Sequence, residues 1–101
     1  MNKLLTLLII SCAFSEYRYN YYSGQMENSP ENSTLKYNVY NGEWEYATRS
    51  SRYKYNTISD KWEITEPNDV LKYNKKSEKW EYASKNSRLT YNPVYKKWSW
   101  E

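Results

Sequence analysis

The stretch LKYNKKSEKWEYA at residues 71–83 decides the fold, because the chain repeats it. Moving 18 residues at a time finds LKYNVYNGEWEYA at 35–47, YKYNTISDKWEIT at 53–65, LTYNPVYKKWSWE at 89–101 and a divergent YRYNYYSGQMENS at 17–29. These five copies account for nearly everything after residue 16. A short fixed period marks a repeat architecture, in which each unit buries its surface against its neighbours.

Within one copy, Leu35, Tyr37 and Val39 alternate with Lys36 and Asn38, and Trp44 and Tyr46 alternate with Glu43 and Glu45. A period of two reads as strand. Asn41-Gly42 between the halves predicts a two-residue type I′ turn, since both residues tolerate positive φ. That turn sets Val39 opposite Trp44 and Tyr37 opposite Tyr46, with the apolar side chains on one face and the charged and polar ones on the other. The equivalent pairs Ser23-Gly24, Ser59-Asp60, Ser77-Glu78 and Tyr95-Lys96 suit such a turn less well, so some turns are expected to be longer. Lys75 holds the phase of Val39 and breaks the alternation, which marks a strand end or a bulge. The connectors 29–34, 48–52, 65–70 and 83–88 are clusters of turn formers, too short for interdomain linkers.

The expected fold is therefore all-β. Five tandem hairpins of about 18 residues (17–29, 35–47, 53–65, 71–83 and 89–101) form one domain, 16–101, as a curled meander or hairpin solenoid. A lone two-stranded hairpin is marginal in water, so neighbours are expected to cover one another's aromatic faces. Met26 and Asn28 replace the Trp and the aromatic or Ile of the other copies, as an end cap facing water would. No half-repeat follows Glu101, and the chain reads as complete.

The first 15 residues read as a signal segment. Met1-Asn2-Lys3 supplies a positive start, Leu4 to Ile10 an apolar run too short to span a bilayer, and Ala13-Phe14-Ser15 a cleavage site. Export to a secreted, periplasmic or cell-surface location follows. In the alternative, Ile9-Ile10-Ser11-Cys12 serves as a lipobox and Cys12 carries a lipid anchor. Either route leaves a mature chain without cysteine, hence without disulfides.

Composition narrows function further. The chain has 13 Tyr and 5 Trp but 1 Phe and no His. Codons for Asn, Lys, Tyr and Ile are AT-rich, so their abundance says little; Trp has no such codon, and its recurrence at 44, 62, 80 and 98 needs a physical cause. The net charge of +3 comes from 15 basic and 12 acidic residues mixed along the chain, which does not resemble a nucleic-acid-binding arm. Glu45, Glu63 and Glu81 repeat one environment, whereas acid–base catalysis needs two unlike carboxyls. With no phosphate-cradling glycine loop and no unique residue cluster, neither an enzyme nor a metal or cofactor site is expected. Lys36, Lys54 and Lys72 are expected to pair with those glutamates across the strands. Asn20, Asn38, Asn56, Asn74 and Asn92 share one phase in all five copies. Asn is a poor strand former, so it is expected to shape the turn or bond the next hairpin's backbone.

The Trp-x-Tyr second strands, Glu43-Trp44-Glu45-Tyr46 and Lys79-Trp80-Glu81-Tyr82, resemble the choline-binding and related cell-wall-binding repeats, which are tandem aromatic hairpins. The Tyr-x-Tyr-Asn openings at 17–20 and 53–56 more faintly resemble tyrosine-aspartate shell repeats. The first resemblance implies a solenoid holding its ligand between successive hairpins in Trp and Tyr cages. It places Trp44, Trp62, Trp80 and Trp98, with Tyr46 and Tyr82, in the ligand-binding positions. Aromatic rings on a sheet stack on sugars, surround quaternary ammonium groups or anchor proteins. The functional expectation is an exported, non-catalytic module for a cell-surface glycan or wall polymer. The alternative is a structural or protein-interaction repeat whose aromatics are purely core.

Overall fold

A computed structural model describes residues 15–101; the expected signal segment, apart from Ser15, and Cys12 lie outside the described residues. The chain forms ten strands: β1 (Ser15–Asn20), β2 (Gln25–Pro30), β3 (Thr34–Asn38), β4 (Glu43–Ala47), β5 (Arg52–Asn56), β6 (Lys61–Thr65), β7 (Val70–Asn74), β8 (Lys79–Ala83), β9 (Leu89–Asn92) and β10 (Lys97–Trp100). Each consecutive pair makes one antiparallel hairpin, and the five hairpins are separate two-stranded sheets. No helix is present among the described residues, and no ladder joins the hairpins into a continuous meander or closes them into a barrel.

The register differs from the two-residue-turn expectation. Tyr37 faces Trp44 and Leu35 faces Tyr46, so Val39 to Gly42 form a four-residue loop, as their counterparts do in every hairpin. The asparagine ending each first strand causes this. Its Oδ1 accepts from the backbone amides two and three residues on: Tyr40 and Asn41 for Asn38, and Ile58 and Ser59 for Asn56. The side chain thus replaces the missing ladder partner and holds a wider turn. Gly42 donates to the Asn38 carbonyl at 2.8 Å with φ +76°, and Asp60, Glu78 and Lys96 occupy the same left-handed position in later copies. Lys75 is a loop residue, which explains the broken alternation. The slip is two residues, so every side chain keeps its face.

What packs inside is the reverse of the expected core. The buried residues at strand ends, Asn20, Asn38, Asn56, Asn74, Ala47, Thr65 and Ala83, lie on the polar face, and the two alanines are the only buried hydrophobic residues among those described. Successive hairpins do not meet aromatic face to aromatic face. The polar face of one meets the aromatic face of the next: Asn20, Asn38 and Asn56 donate through Nδ2 to the Trp44, Trp62 and Trp80 carbonyls at 2.8–2.9 Å. Nor does the first hairpin face water as a cap. Asn28 Nδ2 donates to the Trp100 carbonyl at 3.2 Å, Tyr17 donates to Ser99 Oγ at 2.9 Å, and the Tyr17 ring stacks on Tyr95 with centroids 5.0 Å apart. The body they close measures 51 × 29 × 26 Å.

Asn56→Ala is expected to destabilise the protein by about 3 kcal/mol, because the Trp80 carbonyl and two turn amides lose a buried partner. Asn92 is half-buried and bonds only its own turn, so Asn92→Ala should cost about 1 kcal/mol. Urea midpoints compare the two. Glu78→Gly relieves a left-handed φ of 61° and should raise stability by about 0.5–1 kcal/mol, read the same way.

Candidate functional site

The corrected register joins each tryptophan to a tyrosine of its own hairpin. Tyr37–Trp44 and Tyr55–Trp62 have centroids 5.4 Å apart at 56°, Tyr73–Trp80 5.6 Å at 52°, and Tyr91–Trp98 5.2 Å at 51°. Four hairpins therefore present one tilted pair of rings in nearly constant geometry. These rings are well exposed: Tyr73 46 %, Trp62 and Trp80 39 %, and Trp98 41 % of their surfaces. Large exposed aromatic side chains repeated in this way mark a candidate interaction surface.

The preceding hairpin's turn reaches over some of these rings. Tyr22 stacks on Trp44 at 4.2 Å and 11°, Tyr40 on Trp62 at 5.0 Å and 29°, and the Lys76 ammonium lies 4.6 Å from the centre of Trp98. Ile58 holds that phase ahead of Trp80, and the ring recorded against Trp80 among the described residues is its own hairpin's Tyr73. Grooves at equivalent positions run beside Trp44, past Ser23 and Glu27, and beside Trp80, past Ser59 and Glu63, the latter about 330 Å³ in volume. Each sets hydroxyl and carboxylate groups next to an indole.

Tyr46 and Tyr82 sit elsewhere. They line a cleft of about 480 Å³ shared with Tyr17 and Trp100, where the first hairpin approaches the others. Tyr46 donates its hydroxyl to the Tyr19 carbonyl at 2.7 Å, and Tyr82 to the Tyr55 carbonyl at 3.1 Å, so both tie one hairpin to the previous one. Of the residues singled out from the sequence, the four tryptophans share one place in the stripe of ring pairs, with Trp44 half-buried and the other three exposed, and these two tyrosines do not; Trp98 also lines the cleft. The stripe's second members, Tyr37, Tyr55, Tyr73 and Tyr91, were missed because a two-residue turn paired Tyr37 with Tyr46. Lys75 and the invariant phase of the asparagines were the signals that pointed to the longer loop.

The charged side chains form no cross-strand ion pairs. Lys36, Lys54 and Lys72 stand opposite Glu45, Glu63 and Glu81 in register, yet the one ion pair among the described residues is Arg18–Glu16 at 2.7 Å. The glutamates instead accept from the asparagine amides, as Glu63 does from Asn56 at 3.1 Å and Glu81 from Asn74 at 3.0 Å. Lys54 turns to the next connector and donates to the carbonyls of Pro67 and Asp69 at 2.9 and 3.0 Å. Burial pushes the Glu63 carboxyl above the usual range; the Asn56 bond and Lys61 oppose that, while Glu45 and Glu81 add to it. Among the described residues, no group of three or more His, Cys, Asp or Glu is placed to hold a metal ion.

Compared with protein-family models, curated proteins and solved structures, the chain matches none.

A raised folded pKa means that the native state binds a proton the unfolded chain has released. The Glu63 contribution is therefore fully present below the unfolded value and is lost as pH rises through the folded value. Glu63→Gln keeps an acceptor for Asn56 and removes the charge. Its Tm should exceed that of the wild type at pH 7 and converge with it below about pH 4, where an unperturbed Glu is protonated.

Proposed function

We propose that this protein is an exported, non-catalytic hairpin solenoid that binds a cell-surface glycan or wall polymer along its exposed Trp and Tyr side chains. The observation that carries this reading is the fourfold repeat of one Tyr–Trp ring pair, from Tyr37–Trp44 to Tyr91–Trp98, at nearly constant distance and tilt, with both rings exposed in three of the four. Rings at a fixed period match a ligand that itself repeats, and several weak stacking contacts on one chain combine into useful avidity. The grooves beside Trp44 and Trp80 add hydroxyl and carboxylate groups where sugar hydroxyls would lie. A non-catalytic role is supported by the asparagine partner that each of Glu45, Glu63 and Glu81 holds within its own hairpin, a structural bond.

A second reading, a structural repeat that meets protein partners, is favoured by the stacking of Tyr22 on Trp44 and of Tyr40 on Trp62, which uses one face of each indole in packing. The two readings separate on Trp80, on which no ring of the preceding turn stacks, Ile58 holding that phase, and which is 39 % exposed. Trp80→Ala is expected to remain folded by circular dichroism and to bind cell-wall material about tenfold more weakly in a pull-down titration. Unchanged binding by the folded variant would remove the glycan reading; unfolding by several kcal/mol would favour the structural one.

A further inference from the structure

The chain fills its own cation sites. At three junctions a basic residue of one hairpin stands over a ring of the next: Arg18 Cζ 5.7 Å from the centre of Tyr46, Lys54 Nζ 5.4 Å from Tyr82, and Lys72 Nζ 4.6 Å from Trp100. All three rings share one phase of the repeat. Each cation also donates to the connector that follows its own hairpin: Arg18 to the Ser33 carbonyl, Lys54 to those of Pro67 and Asp69, and Lys72 to those of Ser84 and Ser87. At the remaining junction Ile64 holds the ring phase, and Lys36 is exposed with no recorded bond to a connector. The ammonium therefore goes where a ring awaits it. Lys76 over Trp98 makes a fourth such contact.

A ring face beside one to three carbonyl oxygens is the environment that would attract a ligand's ammonium group. Here a tethered cation occupies it, at an effective concentration that a free ligand would have to overcome. A quaternary ammonium has no N–H, so it would displace the lysine and leave those carbonyls unpaired. What remains open to a ligand is the exposed stripe, and Tyr37–Trp44, Tyr55–Trp62 and Tyr73–Trp80 in it carry no recorded cation on their rings.

We infer that the stripe takes an uncharged, linear polysaccharide by stacking on its sugar rings, and that quaternary-ammonium groups are excluded from the junctions by the protein's own Arg18, Lys54 and Lys72. This rests on the glycan reading above. Sugar rings have an apolar face for the indole and hydroxyls at their edge for the neighbouring Ser and Glu groups, and they need no counter-charge.

The test has two arms. The purified protein is titrated onto beads bearing uncharged β-1,4-, β-1,3- and α-linked glucans and onto beads bearing dextran sulfate, each with and without excess choline chloride. Retention on at least one uncharged glucan, unaffected by choline and about tenfold weaker for Trp80→Ala, is expected. In the second arm, choline chloride is expected to raise the Tm of Lys72→Ala, whose Trp100 face is vacated, and to leave the wild type and Lys36→Ala unmoved. Lys54→Ala repeats the comparison at Tyr82 should Lys72→Ala fail to fold. Elution by choline, a choline-dependent rise in wild-type Tm, or preference for dextran sulfate overturns the inference while leaving a glycan-binding role standing. Retention on none of the polymers, charged or uncharged, overturns the glycan reading and this inference with it.

Discussion

The structure depends on one buried amide. Asn20, Asn38 and Asn56 are fully buried, and each serves four partners at once: Oδ1 accepts from two turn amides, and Nδ2 donates to a glutamate of its own second strand and to a tryptophan carbonyl of the next hairpin. A buried polar group is costly unless satisfied and directional when it is. The same side chain therefore sets the loop length within a hairpin and the position of the following hairpin. A hydrophobic contact, which lacks direction, would do neither.

This hub explains why so little conventional core is present. Among the described residues two alanines are the only buried hydrophobic ones, and short side chains at that phase, Ser29, Ala47, Thr65 and Ala83, let the hairpins approach closely enough for the amide to reach across. Thr65 carries a cost, because its buried hydroxyl has no partner among the described residues. The larger apolar surfaces are covered only in part, by rings and cations from the neighbouring hairpin. Each aromatic face thus has an inner half, where Tyr46 and Tyr82 tie hairpins together, and an outer half, where Tyr–Trp pairs stay open to solvent.

The arrangement also divides the charged residues by role. Glutamates complete the asparagine hub, and lysines close the connector turns while resting on rings. Neither set needs the other as a counter-ion, which is why opposed Lys and Glu in register do not pair. Two or three carbonyl contacts and a ring face, as at Lys54 and Lys72, satisfy an ammonium better than one exposed carboxylate across a strand, where an ion pair contributes little.

By itself the sequence determined the repeat, its period, the hairpin as its unit and the face on which every strand residue stands, because these follow from periodicities of 18 and two that any observer of the chain can count. It also marked the asparagine phase, although not what the amide would hold. Loop length, and with it the pairing of Tyr37 with Trp44, was decided by a side chain capping its own backbone, an interaction that competes with the two-residue turn favoured by Asn41-Gly42 alone. Which face turns inward was decided only in the tertiary structure. Alternation assigns a side chain to a face but does not say what that face will meet, and here a satisfied amide and a small residue packed inside while the Tyr–Trp rings, covered in part by the preceding hairpin's turn, remained outside.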